Sequence, residues 1–343
     1  MGWPPGVWDS RAMGEFELLA KLRERLPPVG RRVRLGSGDD AAVTVPDGAT
    51  ATSVDAIVEG VHFRRGEAEL RLVGRKALAT ALSDLAAMGA EAGEAYVVLG
   101  APPDLGESDF LELLDGLLEL AGESGTTLAG GDVTRAPALT LAVTVVGHAS
   151  SPEHLVPRAG AQPGDLLVLT GEIGGAAAGR LLLDDPSLAE PIAASTAERL
   201  RARQLDPSPR LRSGRALAAA GAQAMIDLSD GLGADAAHLA AASAVALRIK
   251  AGSLPLAKGV AEIAAAAGRD PLELAASGGE DYELLAALPP DRLGDASIGI
   301  GEAAETTLTP IGEVEAGEGV EIRLPGGKRL ETRGYDHLAG PER

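Results

Sequence analysis

The stretch Ala-Met-Ile-Asp-Leu-Ser-Asp-Gly-Leu, residues 224–232, joins an apolar run to an Ala-rich segment through two aspartates and a glycine. The run at 224–228 predicts a short buried strand, and the segment at 234–243 predicts a helix. Asp and Gly at such a junction are typical of caps and turns. They are also typical of backbone that approaches a phosphate. The stretch therefore predicts an α/β unit whose strand ends in carboxylates.

Four further segments place a carboxylate beside Gly or Ser, next to an apolar strand or helix. They are Gly36-Ser37-Gly38-Asp39-Asp40, Ser53-Val54-Asp55, Ser83-Asp84-Leu85 and Gly130-Gly131-Asp132. Any one of them fits a helix cap or a turn, which is the more ordinary explanation. Together they offer oxygen ligands from several loops, as a Mg²⁺ site that handles phosphates requires. The set predicts a magnesium and phosphate site.

Composition argues against several classes of function. The 343 residues include 50 acidic and 31 basic side chains, a net charge of −19, which disfavours nucleic-acid binding and docking on an anionic membrane. The absence of cysteine excludes disulfides, thiolate metal sites and cysteine nucleophiles. No apolar run reaches the ~18 residues of a membrane span, and residues 1–10 lack the features of a signal peptide. We expect a cytoplasmic protein with no nucleic-acid or membrane partner.

Apolar periodicity predicts strands and helices in two groups. The first has helices at 15–26, 70–88 and 109–123, with strands at 41–45, 49–54, 95–99, 127–129 and 139–147. A break at 149–163, rich in Pro, Ser and Gly, precedes a strand at 166–170, helices at 176–183 and 210–220, and a polar segment at 184–209. These elements predict an α+β fold of two α/β domains, at 14–149 and 150–343, with 1–13 as a loose extension.

The usual nucleotide-binding motifs are missing. The sequence has no Gly-x-x-x-x-Gly-Lys-Ser/Thr loop, no protein-kinase motif set and no Gly-x-Gly-x-x-Gly. The Gly-rich segment 171–179 follows a strand and opens a helix, which we interpret as a tight junction. The five histidines are scattered singly, and a lone histidine is more often a packing residue than a catalyst. Any nucleotide is therefore bound without a P-loop.

Several segments match a known family as an ordered set. They are Gly14–Leu19, Gly36–Val43, Ser53–Asp55, Gly60–Phe63, Ala81–Ala90, Ala129–Arg135, Ile226–Leu232, Ser277–Leu284 and Gly334–Leu338. In this order and spacing the chain resembles the thiamine-monophosphate kinase family, part of a superfamily that includes aminoimidazole ribonucleotide synthetase. The resemblance implies that fold, with an N-terminal mixed sheet, flanked by helices, that dimerises. It also implies ATP and thiamine monophosphate as substrates.

The resemblance also implies roles for matching positions. The residues that would hold several Mg²⁺ ions are Asp40, Ser53, Val54 through its backbone, Asp55, Asp84, Asp132, Asp227 and Asp230. Those that would contact ATP are Gly131, Asp132, Arg158 and Ser229, and those that would contact the thiamine phosphate are His62, Glu280 and Tyr335. A requirement for a monovalent cation such as K⁺ stays open. Thr332 stands where some relatives carry a large aromatic, which leaves Tyr335 and Tyr282 as alternatives for stacking on thiamine.

The chemistry needs no protein base. A phosphate monoester has its second pKa near ~6, so the acceptor oxygen is already ionised at neutral pH. The requirement is positioning and charge neutralisation, which Mg²⁺ ions held by aspartates supply, with Arg158 as a fixed positive charge. We expect direct in-line transfer from ATP, which gives thiamine diphosphate.

Three alternatives remain at this point. The first is another ATP-using member of the superfamily with a different acceptor. The second is a nucleotide- or metal-binding paralogue without catalysis. The third is an α/β protein whose aspartates are only caps. Turnover of ATP with different acceptors separates them.

Overall fold

The computed structural model describes residues 15–37, 41–303 and 306–330. These residues form two compact units. The first comprises the described residues up to 47 together with 52–81 and 92–146. The second comprises 48–51, 82–91 and the described residues from 147 onward. The division that the sequence predicts, at 149–150, stays a prediction.

The described residues up to 149 contain three α-helices and six strands. The helices are α1 (Glu15–Arg25), α2 (Leu70–Ala87) and α3 (Glu107–Ser124). The strands are β1 (Val33–Leu35), β2 (Val43–Thr44), β3 (Ala49–Val58), β4 (Glu91–Ala101), β5 (Thr127–Arg135) and β6 (Thr140–Ala149). Strands β1 and β2 form an antiparallel pair, and a four-stranded sheet has the order β3-β6-β4-β5, with β4 and β5 parallel.

One face of the four-stranded sheet is buried and the other is left half-exposed. On β6, Leu141, Val143 and Val145 are at most 2% exposed, because successive side chains of a strand point to opposite faces. The intervening positions of β6, and alternate positions of β3, are half-exposed or exposed. These positions carry no charge: they are Thr50, Thr52, Val54, Ala56, Thr140, Ala142, Thr144 and Val146.

The second unit contains most of the remaining elements. Its helices are α4 (Gly175–Asp184), α5 (Ala194–Leu205), α6 (Leu211–Ala220), α7 (Leu232–Ser243), α8 (Val260–Ala266), α9 (Pro271–Ser277) and α10 (Leu293–Ala303). Its strands are β7 (Leu166–Thr170), β8 (Ala224–Asp227), β9 (Ala246–Lys250), β10 (Leu284–Leu288), β11 (Leu308–Glu315), β12 (Gly319–Arg323) and β13 (Arg329–Leu330). They form a mixed sheet in the order β13-β12-β9-β11-β7-β10-β8. Pairing is antiparallel except between β12 and β9.

Strand β8 lies at one edge of this sheet, yet all four of its residues are buried. The chain at 156–160 runs along that edge, where the N–H of Met225 donates to the carbonyl oxygen of Pro157 at 3.1 Å. Val156 is 6% exposed and its N–H donates to the carbonyl of Met88. The edge therefore has a partner that is not a strand.

The predicted fold class is confirmed, since both halves combine sheets with helices. Some elements differ from the sequence-based prediction, such as strand β1, which was not predicted. The polar segment 184–209 contains helix α5, in which Ala197 and Leu200 are each 2% exposed. Its flanking prolines and its many charged residues obscured the apolar stripe. Of the helices in the described ranges, none combines the length and hydropathy that a bilayer crossing requires.

Candidate active site

Asp270 caps a helix, whereas Asp84 and Asp132 of the predicted site do not. Asp270 is a cap, because its side chain accepts N–H bonds from Leu272 at 2.9 Å and Glu273 at 3.0 Å at the start of α9. Asp84 lies inside α2, and Asp132 lies within β5. Neither of these two positions can cap a helix, so the ordinary explanation fails for them.

Asp227 ends strand β8 and is only 4% exposed. The hydroxyl of Ser83, which is fully buried, donates to its Oδ2 at 2.6 Å. Burial raises the pKa of Asp227 to about 7, and the negative charge of Asp84 acts in the same direction. The hydrogen bond from Ser83 and the positive charge of Arg158 act in the opposite direction. Asp84 and Arg158 therefore both lie within electrostatic range of Asp227.

The turn after β8 is held by a carboxylate that the sequence analysis did not single out. Asp235, in the first turn of α7, accepts N–H bonds from Asp230 at 3.1 Å and Gly231 at 3.0 Å through Oδ2. It is 2% exposed, and its pKa is raised to about 8. Burial is the main cause, and the negative charges of Asp227 and Asp230 add to it. Asp235 thus fixes the backbone that carries the predicted ligand Asp230.

Ser229 meets the turn that carries Glu280. The N–H of Glu280 donates to the carbonyl of Ser229 at 2.8 Å, and the N–H of Tyr282 donates to that of Leu228 at 2.9 Å. These bonds continue the β8–β10 pairing beyond the strand ends. Glu280 has a φ of 67° and Tyr282 a φ of 50°, a left-handed conformation that non-glycine residues rarely adopt. Tyr282 is 6% exposed, which leaves little of its ring for stacking on a ligand.

Asp281 caps helix α4 although it lies more than 100 positions further along the sequence. It accepts N–H bonds from Gly174 at 2.6 Å and Ala176 at 3.0 Å. Burial raises its pKa to about 6, the charge of Arg203 and the two N–H bonds oppose that rise, and the charge of Glu283 adds to it. The cap ties the Glu280 turn to the start of α4.

Glu283 is fully buried and paired with two arginines. Arg210 donates to it through Nε at 2.9 Å and Nη2 at 2.6 Å, Arg203 through Nη2 at 3.4 Å, and the hydroxyl of Thr170 at 2.8 Å. Both arginines line a cavity of about 280 Å³ together with Asp281. The charged residues behind the Glu280 turn thus form one connected network.

In the first unit, His62 is held in a turn after β3. Its Nδ1 accepts the N–H of Val58 at 3.1 Å, and its carbonyl accepts from Nζ of Lys76, which is 1% exposed. Because Nδ1 accepts, the neutral ring carries its hydrogen on Nε2 and can donate there. The geometry suits a donor to a ligand.

The other predicted residues of the first unit lie on β3 and β5. Ser53, Val54 and Asp55 lie in β3, where Val54 is 65% exposed and Asp55 Oδ1 accepts the N–H of Ala56 at 2.7 Å. Strands β3 and β5 are the two edges of their sheet, with β6 and β4 between them. The order of strands therefore does not place Asp55 beside Asp132.

Gly131, next to Asp132 on β5, has a packing reason to be glycine. A Cβ at this position would lie 2.1 Å from the carbonyl oxygen of Val97 on β4. Asp132 itself is exposed. The close approach of β4 and β5 thus accounts for the glycine, and the exposed carboxylate beside it has no packing role.

The donors present fit Mg²⁺ in kind. All predicted side-chain ligands are oxygen donors, and Asp227 is buried beside a second carboxylate, a combination that a cation would stabilise. Within the described ranges, no three His, Cys, Asp or Glu side chains are already grouped so that they could hold a metal ion. Asp40 and Tyr335 fall outside the described residues.

Several site residues were missed from the sequence. They are Ser83 as a donor to Asp227, Arg203 and Gln204 from α5, Arg210 at the start of α6, and Asp235, Asp281 and Glu283. Asp281 and Glu283 lie in the motif Ser277–Leu284, so the sequence shows that carboxylates are present there. It does not show which groups these carboxylates contact. No local signal marked Gln204, because its partner Glu280 is 76 positions away.

Comparison with known proteins assigns both halves of the chain. Residues 38–149 match the family described as AIR synthase related protein, N-terminal domain. Residues 162–325 match AIR synthase related protein, C-terminal domain. The chain is 40% identical over 281 residues to the thiamine-monophosphate kinase of Mycobacterium tuberculosis, which covers 80% of each protein.

Solved structures give the same result. The crystal structure of thiamine-monophosphate kinase from Stenotrophomonas maltophilia has a TM-score of 0.77 and 36% identity, covering 90% of this chain and 94% of that one. The structure described as AaThiL complexed with AMPPCP and TMP has a TM-score of 0.75 and 31% identity, covering 95% and 97%. The similarity extends over nearly the whole of both chains.

Proposed function

Because the chain belongs to the AIR synthase related proteins and, within them, to the thiamine-monophosphate kinase family, we propose that it phosphorylates thiamine monophosphate with ATP. The product is thiamine diphosphate, which makes this the last step of its synthesis. The observation that carries the proposal is the group of charges at Asp227, a buried carboxylate at the end of a strand on which Asp84 and Arg158 both act, with Asp230 three residues further on. A relative crystallised with AMPPCP and TMP supports the choice of both substrates.

The aspartates would hold magnesium ions and the substrate phosphates between them. When bound, Mg²⁺ neutralises the charge of the donor and acceptor phosphates. The side-chain carboxylates of the proposed set include those of Asp55, Asp84, Asp132, Asp227 and Asp230. Asp40, Ser53 and the backbone of Val54 complete the proposed ligand set. A requirement for K⁺ is tested by running the acceptor screen described below with and without this ion.

The remaining residues bind and orient the substrates. Arg158, exposed and within electrostatic range of Asp227, offers a fixed positive charge to ATP, beside contacts from Ser229 and Gly131. Nε2–H of His62 and the carboxylate of Glu280 are assigned to the acceptor, with Tyr335 near it. The acceptor phosphate is ionised at neutral pH, so the protein does not have to remove a proton. In-line transfer then needs only positioning and charge neutralisation.

The chain is also proposed to act as a homodimer through the sheets of its N-terminal half. The uncharged, half-exposed face formed by alternate positions of β3 and β6 supports this. A sheet face without charge is ordinarily packed against another layer. An identical face on a second copy would complete such a layer.

An acceptor screen tests the function. Purified protein is incubated with ATP and Mg²⁺ and with thiamine monophosphate, other phosphorylated acceptors or no acceptor, with and without K⁺. We expect ADP and thiamine diphosphate in equal amounts with thiamine monophosphate alone. Turnover with another acceptor would indicate a different member of the superfamily, and ATP binding without turnover would indicate a paralogue that has lost catalysis.

Matched aspartate variants test the metal site. Asp132→Asn and Asp84→Asn should lower kcat at ordinary Mg²⁺ concentrations by about a hundredfold or more, because each removes a charged ligand. Asp270→Asn, which changes a helix cap, is the control and should retain activity. Near-normal turnover in both site variants would mean that these carboxylates do not bind metal. A phosphorylated protein intermediate on the reaction path would contradict direct transfer.

A further inference from the structure

Helices α4 and α5 cross at very short distance. A Cβ at Gly179 on α4 would lie 2.0 Å from the carbonyl oxygen of Leu200 and 3.1 Å from Cβ of Gln204. Gly175, one turn earlier, is less tightly placed, since a Cβ there would lie 3.1 Å from Nε of Arg203. Because no side chain separates the two backbones, the position of α5 is fixed tightly, and with it the side chains of Arg203 and Gln204.

These two neighbouring side chains reach the Glu280 turn with different chemistry. Arg203 donates to Glu283 and lies 3.8 Å from Asp281, so it contacts carboxylates that also hold the fold together. Gln204 is 4% exposed, and its Nε2 donates to Oε2 of Glu280. An amide donor orients a carboxylate without cancelling its charge, which an arginine would do.

The backbone at Glu280 gives an independent sign that this turn is functional. Glu280 and Tyr282 both have positive φ values, 67° and 50°, although neither is glycine. Such conformations cost free energy and persist only where surrounding contacts impose them. Here the contacts are the cap that Asp281 makes on α4 and the pairing of the N–H groups of Glu280 and Tyr282. Strain of this kind is concentrated at ligand-binding sites.

We propose that Gln204 is a positioning residue that holds the carboxylate of Glu280 in the orientation that binds the acceptor substrate. The inference rests on the proposed function, in which Glu280 contacts the acceptor. Thiamine monophosphate carries a cationic heteroaromatic ring system, which an oriented and charged carboxylate attracts. Gln204 therefore sets affinity for the acceptor and has no part in ATP binding or in the transfer itself.

Two substitutions separate orientation from charge. Gln204→Met keeps the size of the side chain but cannot donate, and Gln204→Lys donates but neutralises Glu280. Gln204→Met should raise KM for thiamine monophosphate by about tenfold or more, because Glu280 loses one hydrogen bond, and Gln204→Lys should raise it by a similar factor, because Glu280 loses its net charge. The KM for ATP and kcat should stay within about twofold. Gln162→Met, at an exposed position of the same unit, is the matched control and should change none of these constants.

A double-mutant cycle shows whether Gln204 acts through Glu280. If it does, Gln204→Met combined with Glu280→Gln raises KM for the acceptor no further than Glu280→Gln alone. Multiplied effects in the double variant, or an unchanged KM in Gln204→Met and Gln204→Lys, would overturn the inference. A fall in thermal stability with unchanged KM would also overturn it, because a purely structural role predicts that result.

The wild-type reaction in the same experiment tests the proposed function separately. Wild-type turnover with unaffected Gln204 variants would refute only the role of Gln204. Absence of wild-type turnover would refute the proposed function and this inference with it. Circular dichroism of each variant establishes that it is folded, and Gln204→Lys gives the answer if Gln204→Met does not fold.

Discussion

At the scale of single residues, three buried carboxylates each have a raised pKa, and the charged and polar groups around them differ. Asp227 has a pKa of about 7, Asp235 about 8 and Asp281 about 6, and burial is the leading cause in each case. Around Asp227 the neighbouring groups are the carboxylate of Asp84, the hydroxyl of Ser83 and the guanidinium of Arg158. Around Asp281 they are Arg203, Glu283 and two backbone N–H groups, so its effect falls on stability.

Asp281 should make the free energy of unfolding depend on pH in a defined window. Its pKa is raised from 3.8 to about 6 in the folded chain, so between these values the folded state binds more protons than the unfolded state. Stability therefore falls as pH rises through this window and is flat above it, by up to about 3 kcal/mol for a shift of about two units. Asp281→Asn should remove that slope in urea unfolding followed by circular dichroism.

The comparison is between wild type and variant at each pH. Asp291→Asn, at an exposed position, is the control for the loss of a carboxyl group. A difference between wild type and Asp281→Asn that stays constant from pH 4 to pH 6 would contradict the assignment.

At the scale of elements, the crossing of α4 and α5 is the contact on which the acceptor side of the site depends. Helix α5 is also the element that the sequence did not reveal, because Pro186, Pro191, Pro207 and Pro209 surround it and charged residues interrupt its apolar stripe. Its packing against α4 depends on residues 21 positions apart in the chain, Gly179 and Leu200. Local periodicity cannot report such a contact.

Gly179→Ala tests this crossing. The added methyl would meet backbone at 2.0 Å, so we expect a loss of about 1–3 kcal/mol in the free energy of unfolding. Gly122→Ala, on α3 with nothing near its Cβ, should instead stabilise by about 0.5–1 kcal/mol through helix propensity. Urea denaturation measures both. If Gly179→Ala is as stable as wild type, the helices are not in the contact described.

Much of the fold and part of the site were predictable at this scale. Strand β7 and helix α6 were predicted within one residue at each end, because their apolar patterns are uninterrupted. Asp84, Asp227 and Asp230 were identified by the repeated pairing of Asp with Gly or Ser. The donors that orient them were not, because Ser83 is 144 positions from Asp227. Contacts over such distances in sequence are set by the tertiary fold.

At the scale of the whole molecule, the uncharged face of the four-stranded sheet is the surface through which we propose that two copies of the chain form a dimer. Its members alternate with buried residues along β6 and mostly with half-buried residues along β3, and none of them is charged. With a net charge of −19 on the chain, a face of this kind without charge is unlike the average surface. Two copies that bury this face would also keep their acidic surfaces in water.

Thr144→Arg should disrupt the proposed dimer. Thr144 lies on β6 in the middle of the uncharged face, and a buried charge without a partner is unfavourable at an interface. Light scattering should give a mass of twice 34.7 kDa for wild type and 34.7 kDa for the variant. Ala261→Arg, at an exposed position of α8, is the control and should remain dimeric. A monomeric wild type would refute the proposed assembly.

The chain at 156–160 has a consequence for aggregation. It runs along the outer edge of β8, where the carbonyl of Pro157 accepts the N–H of Met225. An uncovered apolar edge strand is a template on which a second chain can add a strand of its own. The segment that carries Arg158 therefore also covers the apolar edge of β8 and prevents another strand from pairing with it. Damage to this segment, by proteolysis or by deletion, would promote self-association at the same time as it removes Arg158, a residue proposed to bind ATP.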